Sequence, residues 1–229
     1  MQQSHAAFLD YVLKHSEAGN IQSVINTIDR YGWTKGWLMN IGDQKGQILD
    51  EAIRSRKPKT VLELGNRFEE FLFSVNRCHL GTFLGYSSLR MAAQLPNDAA
   101  IICVDINPET TEIARTIHKH AGVDDRIRII VDSSEHVIPQ LTKKLRINSF
   151  DFIFIDHYGS HYLRDFKLLE EHGLIQSGTM IVADNVIAPG APDYLRYVRN
   201  NQNYTTKTHE SLVEYTNDMV DGVEITVRS

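Results

Sequence analysis

The 229-residue sequence has few cysteines, no long apolar run and no excess of basic residues, and each absence excludes a class of protein. Its two cysteines, Cys78 and Cys103, lack the spacing of a metal or redox motif, and two thiols imply no disulfide framework. No stretch approaches the roughly 20 apolar residues of a membrane span, and the first residues lack the apolar core of a signal peptide. We therefore expect a cytoplasmic protein that does not bind a membrane.

The charge balance argues against a nucleic-acid partner. The chain has 24 Lys and Arg residues against 29 Asp and Glu residues, and the basic residues form no stripe along the sequence. A hydrophobic content of 42% and a charged content of 23% are typical of one globular domain with a filled core. We expect a single domain over residues 1–229 that acts as a monomer on a small molecule.

Short apolar runs rich in β-branched residues alternate with amphipathic stretches. This pattern predicts an α/β fold in which helices cover both faces of a mainly parallel sheet. Two or three helices precede the first strand, and two further strands end the chain, the second of them antiparallel. Helices are predicted over residues 108–121 and 135–145. The predicted strands are 60–64, 100–105, 126–131, 150–155, 179–183, 204–208 and 222–227.

The turn after the first predicted strand departs from the usual nucleotide-binding pattern. In that pattern the strand runs directly into a glycine turn, and an acidic residue about 20 positions later contacts the ribose. Gly85 lies 20 residues before Asp105, but the first strand ends at Gly65, 40 residues before Asp105. Residues 66–81, which carry several apolar side chains and no turn motif, are therefore interpreted as an insertion foreign to the parent fold. A functional lid is the alternative.

Two carboxylates and one amide are predicted to meet at one edge of the sheet. Asp156 closes one predicted strand, Asp184 closes the next, and Asn185 follows directly. The carboxyl ends of neighbouring parallel strands lie at the edge where open α/β sheets bind ligands. An all-oxygen set with room for water and substrate suits a hard octahedral cation such as Mg²⁺. The alternative for either aspartate alone is a helix cap.

Several motifs occur together and in a fixed order along the chain. They are WLMNIGDQKGQILD, VLELG, GYSSLRMA, VDINP, VIPQL, IDHY, LLEE, ADNVIAPGAPDYLRYVR, and VEY with VDGVE. With residues 66–81 set aside, the series resembles the catechol O-methyltransferase family over residues 18–227. The resemblance implies a Rossmann-like class I methyltransferase fold whose N-terminal helices, within residues 1–58, form a lid. It further implies methyl transfer from S-adenosylmethionine to one hydroxyl of a Mg²⁺-chelated catechol, with Mg²⁺ held by Asp156, Asp184 and Asn185.

The resemblance also implies an S-adenosylmethionine site that spans several motifs. Asp105 would accept hydrogen bonds from the ribose hydroxyls, at a position where the family more often has Glu. Tyr158 stands where the family usually has Trp. For each of these residues taken alone, an ordinary role in the core or in a turn is the alternative. The implied set is Met39, Asn40, Ile41, Glu63, Gly65, Gly85, Tyr86, Ser87, Asp105, Ile106, Ser134, Glu135, Asp156, His157 and Tyr158.

Substrate contacts follow from the same resemblance. Glu214 would accept a hydrogen bond from the second catechol hydroxyl, although a lone Glu is more often a solvated surface residue. Trp37 and Pro189 would form apolar walls around the ring. Asp156 and Asn185 would face the chelated oxygens.

One departure from the family concerns the catalytic base. The family has a Lys three residues after the first metal-binding Asp, and this sequence has Gly159 there. His161 is the predicted substitute and His157 the alternative, because a histidine accepts a proton near neutral pH. A surface role is the alternative for His161.

The missing lysine and the interrupted cofactor turn leave a second interpretation open. In it the chain is a catalytically impaired member of the fold that acts as a binding or interaction protein. A nicotinamide-dependent oxidoreductase is a third interpretation, since Asp105 would suit that cofactor as well. The chain lacks a complete G-x-G-x-x-G turn, however, and this third function gives Asp184 and Asn185 no role.

Overall fold

A computed structural model of the chain describes residues 2–66, 84–145 and 147–229. Most of the predicted insertion, residues 67–81, lies outside the described residues, as does Cys78. Asn66, the first residue of that segment, still belongs to the first strand, where it pairs in register with His157.

Seven strands form one sheet within the described ranges, as the sequence predicts. They are β1 Thr60–Asn66, β2 Ala100–Asp105, β3 Ile127–Val131, β4 Phe152–His157, β5 Met180–Ala183, β6 Tyr204–Leu212 and β7 Val220–Arg228.

The strands lie in the order β3-β2-β1-β4-β5-β7-β6. The first five of these pair in parallel, whereas β7 pairs antiparallel with β5 on one side and with β6 on the other. The strand order reverses at β1, which has β2 on one side and β4 on the other. Open α/β sheets bind their ligands at the carboxyl ends of the strands beside such a reversal. The predicted mainly parallel sheet with an antiparallel last strand is confirmed.

Three helices precede β1, in agreement with the sequence, and the others connect the strands. No helix in the described ranges is long and apolar enough to cross a membrane. Between β5 and the last helix the chain makes a turn over Val186–Gly190, within which Ala188 is extended. The helices are α1 Gln2–His15, α2 Ile21–Thr34, α3 Gly42–Arg56, α4 Tyr86–Gln94, α5 Pro108–Ala121, α6 Ser134–Leu145, α7 Gly159–Glu171 and α8 Pro192–Arg199.

Several predicted strand ends differ from the structure by one or two residues, and the end of β6 differs by four. The strand predicted at 204–208 continues to Leu212, because β6 pairs with β7 over its whole length. Its second half is polar, which an edge strand tolerates, so the apolar pattern did not find it. The strand predicted at 150–155 spans Phe152–His157, and the carboxylate of Asp151, just before it, accepts the backbone amides of Lys59 and Thr60.

The core has two parts, one on each face of the sheet. Helices α1 to α5 cover the front face, and α6 to α8 cover the back face. Successive residues of a strand alternate between faces, so Phe154 packs in the front part and Ile155 in the back part. The same alternation assigns Asp156 to the front face and His157 to the back face.

Candidate active site

The carboxyl ends of β4 and β5 bring Asp156 and Asp184 side by side. Ile155 and Ala183 are partners in the register, and the Asp184 amide donates a hydrogen bond of 3.0 Å to the Ile155 carbonyl oxygen. The two aspartates are therefore neighbours across the strands, just beyond the last register pair. Their exposed fractions are 8% and 0%, so both carboxylates are held in a low-dielectric setting where charge needs compensation.

Asn185 is oriented by a carboxylate that the sequence analysis did not single out. Its backbone is left-handed, with φ 52°, and it opens the turn Val186–Gly190. The side-chain nitrogen of Asn185 donates to Asp221 Oδ2 at 2.9 Å, which directs the amide oxygen away from Asp221. Asp221 Oδ1 in turn accepts the backbone amide of Ala188 at 2.9 Å. Asp221, on β7, thus fixes both the side chain and the turn that follow β5.

A buried lysine joins three carboxylates at this edge of the sheet. Lys45, on α3, is fully buried, and its Nζ lies 2.9 Å from Asp184 Oδ1, 3.2 Å from Glu214 Oε2 and 2.7 Å from Asp221 Oδ2. Burial alone would lower the pKa of Lys45, but the three carboxylates outweigh it and hold that pKa well above its ordinary value. Lys45 is consequently a fixed cation and cannot act as the missing base.

Negative charge remains in excess around Lys45. Burial raises the pKa of Asp184 to about 6 although Lys45 lies beside it, and Glu214 acts in the same direction as burial. Among the described residues, Asp184 Oδ1 and Glu214 Oε2 are buried oxygens that accept no hydrogen bond, being held only by the ion pairs with Lys45. Such oxygens are suited to a further cation or to a donor on a ligand.

These residues fit the predicted Mg²⁺ in chemical type. Asp156, Asp184 and the amide oxygen of Asn185 form a hard, all-oxygen donor set with surplus negative charge beside it. No group of three or more His, Cys, Asp or Glu side chains in the described ranges is arranged to hold a metal ion. A site here would therefore need the Asn185 oxygen together with water or substrate oxygens to complete its coordination.

The structure places Glu214 inside the site and Trp37 against it. Glu214 is 5% exposed, so it is not the solvated surface residue that a lone Glu usually is. The indole nitrogen of Trp37 donates to the Glu214 carbonyl oxygen at 2.7 Å. Gly42, at the start of α3, leaves room for this segment, because a Cβ there would lie 2.7 Å from Glu214 Cβ. Pro189 follows a cis peptide bond in the turn after Asn185 and is exposed.

The position of the family's catalytic lysine is closed to any side chain. Gly159 is the first residue of α7, and a Cβ on it would lie 2.5 Å from the carbonyl oxygen of Gly190. His161 lies two residues later on the exposed side of α7, with its ring centroid 5.6 Å from that of Tyr158. Partial burial and the nearby Arg164 lower the pKa of His161 below its ordinary value, so its neutral, proton-accepting form dominates at pH 7.

His157 is held by the back face and is a poor alternative base. Its Nε2 lies 2.8 Å from Asp165 Oδ2 on α7. Asp165 also accepts from Ser134 Oγ at 2.5 Å and from Arg164 Nε at 2.7 Å. Burial alone would raise the pKa of Asp165, but His157 and Arg164 outweigh it and lower that pKa to about 2. Arg164 also donates to Glu135, so Ser134, Glu135 and His157, three of the predicted cofactor residues, join one network.

Comparison with known proteins decides the family. An O-methyltransferase family model matches residues 22–193. The catechol O-methyltransferase of Mus musculus is 41% identical over 216 residues, which are 94% of this chain and 75% of that protein. The catechol O-methyltransferase of Bos taurus is 39% identical over 94% of this chain and 73% of that protein. The chain belongs to the catechol O-methyltransferase family.

Solved structures show the same fold. An O-methyltransferase from Bacillus cereus, in complex with SAH, has a TM-score of 0.66 at 18% identity and covers 81% of this chain and 80% of that one. The O-methyltransferase TomG from Streptomyces achromogenes, in complex with SAM, also has a TM-score of 0.66, at 20% identity, over 81% and 79% of the two chains. The predicted Rossmann-like methyltransferase fold is confirmed.

Within this family member, the predicted cofactor residues of β1 and α4 are bonded to protein groups. The buried Glu63 carboxylate accepts hydrogen bonds from Ser87 Oγ and from Cys103 Sγ, and burial raises its pKa to about 7. Gly85 has φ 82°, and a Cβ there would lie 2.7 Å from His118 Nε2, so the turn requires glycine. The Tyr86 hydroxyl donates to Asp29 on α2, so only the backbone of Tyr86 could meet a cofactor.

The remaining predicted cofactor residues divide into exposed and buried ones. Asp105 is buried at the end of β2, where Oδ1 accepts the Asn107 amide at 2.7 Å and burial raises its pKa to about 7. Ile106 and Tyr158 are exposed, whereas Ile41 is fully buried, so only its backbone could meet a ligand. Met39 and Asn40 are half-buried, and Gly65 pairs in register with Asp156.

Sequence reasoning missed Lys45, Asp221 and Asp165. Each acts through contacts made between distant segments, which no local pattern displays. One weak sign of Lys45 was available, since Gly42 and Gly46 flank it on α3, where Gly42 leaves space for Glu214 and Gly46 leaves space for Arg90. Asp221 lies in VDGVE, a motif that carried the family resemblance but no assigned residue.

Proposed function

We propose that this protein is a Mg²⁺-dependent O-methyltransferase that transfers a methyl group from S-adenosylmethionine to one hydroxyl of a catechol. The observation that carries the proposal is a cluster of carboxylates at the ends of β4 and β5. Asp156 and Asp184 are adjacent there, and Glu214 is buried beside them. The names of the catechol O-methyltransferase relatives support the substrate class. The SAH and SAM complexes of the solved relatives support the cofactor.

Each protein group has a chemical part in this proposal. Asp156, Asp184 and Asn185 would hold Mg²⁺, which supplies positive charge that lowers the pKa of a bound hydroxyl and orients it. Glu214, which pairs with Lys45 at 3.2 Å, would accept the hydrogen bond of the other hydroxyl. Trp37 and Pro189 would line the ring, while the predicted cofactor residues would hold the methyl donor for transfer to the attacking oxygen.

His161 is the proposed base, because Gly159 has no side chain and His157 is bound to Asp165. The base must be neutral, so kcat/KM should rise with pH to a plateau, and the midpoint of the rise should lie below the ordinary histidine pKa of 6.5. His161→Ala should lower kcat at pH 7 by about 100-fold or more and remove that acidic limb. His136→Ala, which changes a well-exposed histidine on α6, is the control. An unaltered profile in His161→Ala would refute this role.

Radiolabelled methyl transfer from S-adenosylmethionine to catechol, with Mg²⁺ or with a chelator, tests the whole proposal. We expect a monomethyl ether in the Mg²⁺ buffer and none in the chelator buffer. Asp156→Ala should show no Mg²⁺-dependent turnover. Asp193→Ala, a change of an exposed aspartate on α8, should turn over normally. Turnover that persists in Asp156→Ala would rule out the metal assignment. Turnover that is equal in both buffers would rule out Mg²⁺ dependence.

A chain without residues 66–81, in which Thr82 follows Gly65, belongs in the same assay. If this form is active and the full chain is not, the inserted segment is the cause of inactivity. If both forms bind S-adenosylhomocysteine and neither transfers methyl, the closed position at Gly159 favours the second candidate, a non-catalytic binding protein.

A further inference from the structure

One carboxylate oxygen of the half-buried Asp29 connects the two halves of the proposed site. The Tyr86 hydroxyl donates to Asp29 Oδ1 at 2.5 Å, and the Tyr215 hydroxyl donates to the same atom at 3.2 Å. Tyr86 directly follows the glycine turn at Gly85, and Tyr215 directly follows Glu214. Asp29, on α2, therefore lies between the predicted cofactor turn and the proposed substrate carboxylate.

A second carboxylate holds the cofactor side of this connection in place. Arg90 Nη1 donates to the Tyr86 hydroxyl at 2.8 Å, and the same guanidinium donates twice to Asp50 on α3, at 3.1 and 2.5 Å. Tyr86, Arg90 and Asp50 are each under 9% exposed. Bidentate bonds between guanidinium and carboxylate fix orientation as well as distance. The Tyr86 hydroxyl has little freedom to move independently of α2 and α3.

Glycines on α2 and α3 make these contacts close-fitting. A Cβ on Gly32 would lie 2.6 Å from the Tyr215 ring, and a Cβ on Gly46 would lie 2.6 Å from the Arg90 guanidinium. The Tyr215 ring and the guanidinium thus pack directly on helix backbone. Packing at this density transmits small displacements instead of absorbing them.

Both phenols stay protonated and keep donating to Asp29 at neutral pH. Burial is the main reason that the pKa of Tyr86 and the pKa of Tyr215 lie well above the ordinary tyrosine value. The carboxylate of Asp29 acts in the same direction on each phenol.

We propose that Asp29 is a positioning residue that couples cofactor binding at the Gly85 turn to substrate binding at Glu214. This inference rests on the proposed function. A cofactor that binds at the turn sets the position of the Tyr86 hydroxyl, and through Asp29 it sets the position of Tyr215 and of the adjoining Glu214. Linkage then requires that cofactor and catechol each raise the affinity for the other by the same factor.

Calorimetric titration of the full chain measures this factor. Catechol is titrated in Mg²⁺ buffer with and without S-adenosylhomocysteine, and S-adenosylhomocysteine is titrated with and without catechol. We expect about a tenfold mutual increase in affinity in the natural sequence and about twofold or less in Tyr215→Phe or Asp29→Ala. The double variant should show no further loss, since both changes break one connection. Tyr204→Phe is the control, because it removes a 2.6 Å hydrogen bond from the Tyr204 hydroxyl to Glu170 on the back face. This variant should keep the full mutual increase in affinity.

The outcomes separate this inference from the proposed function. If the natural sequence binds no catechol and transfers no methyl group, the proposed function fails and the inference with it. If it transfers methyl but shows no mutual increase in affinity, the inference alone is overturned. Full coupling in Tyr215→Phe overturns the inference as well. Because Tyr215→Phe removes only one hydroxyl, this variant remains informative if Asp29→Ala fails to fold. A role of Asp29 in stability alone would lower the melting temperature and leave the coupling factor unchanged.

Discussion

Gly159 stands where the family carries a lysine, and its surroundings exclude a side chain. The carbonyl oxygen of Gly190 lies 2.5 Å from the place that a Cβ on Gly159 would take. Gly190 itself has φ 100° and belongs to the turn that follows Asn185. Glycine at position 159 and the path of this turn are thus linked, and the proposed base, His161, lies two residues further along α7.

Restoring the lysine is therefore predicted to harm the protein. Gly159→Ala and Gly159→Lys should each lower the free energy of unfolding by about 1–3 kcal/mol, because the turn must move to admit a Cβ. Gly159→Lys should not raise the rate of methyl transfer. Urea unfolding and the methyl-transfer assay check both statements. Gly36→Ala is the control, since its nearest neighbour would be 3.7 Å away. An unchanged free energy of unfolding in Gly159→Ala would contradict the predicted clash between a Cβ at position 159 and the Gly190 carbonyl oxygen.

The sequence predicted the placement of some site residues and not of others. Asp156 and Asp184 were placed correctly, because residues that close neighbouring parallel strands must meet at one edge. Glu214 lies in a loop, and only its motif marked it. The Lys45 contacts join α3 to three separate segments, and long-range contacts of this kind leave no local sequence pattern.

At the scale of elements, the contact between α4 and α5 shapes the predicted cofactor turn. His118 on α5 is 1% exposed, and its Nε2 lies 2.9 Å from Ser88 Oγ and 3.3 Å from the Gly85 carbonyl oxygen. Burial is the main reason that the pKa of His118 falls to about 4. The imidazole is thus neutral in the folded protein throughout the neutral range.

Stability should fall as this histidine is forced to ionise. Its pKa is about 4 when folded and 6.5 ordinarily, so its contribution is complete above pH 6.5 and is lost as pH falls toward 4. The loss should approach about 3 kcal/mol, measured by urea unfolding between pH 7 and pH 4. His118→Gln should lose less stability over this interval, and exposed His136→Gln should behave like the natural sequence. Parallel curves for all three chains would refute the assignment.

Most helices and strands were predictable from the sequence. Their boundaries were predicted less well where tertiary contacts determine them. The helix predicted at 108–121 matches α5, whose N-cap Asn107, Pro108 at the first turn and final Gly122 are strong local determinants. The length of β6 depends on pairing with β7, which the sequence of β6 alone does not reveal. Asp105 was correctly placed at the end of β2, but its bond to the Asn107 amide was not foreseen.

At the scale of the whole molecule, the N-terminal helices are fixed to the sheet edge by charge as well as by packing. The ammonium of Lys45, on α3, forms ion pairs with Asp184 after β5, with Glu214 before β7 and with Asp221 within β7. Buried carboxylates repel one another without a counter-charge. The arrangement of the proposed site therefore depends on the docking of α3, and that docking depends in turn on the site.

Removing the ammonium should affect the entire fold. Lys45→Met leaves three buried carboxylates without their shared partner and should lower the free energy of unfolding by about 3–5 kcal/mol. Arg196→Met breaks an exposed pair with Asp193 and should cost about 0–1 kcal/mol. Urea unfolding at pH 7 measures both. Because protonation of the carboxylates relieves their repulsion, Lys45→Met should regain part of the lost stability at pH 5.5. An equal loss at both pH values would show that the packing of the side chain, and not its charge, holds α3 on the sheet.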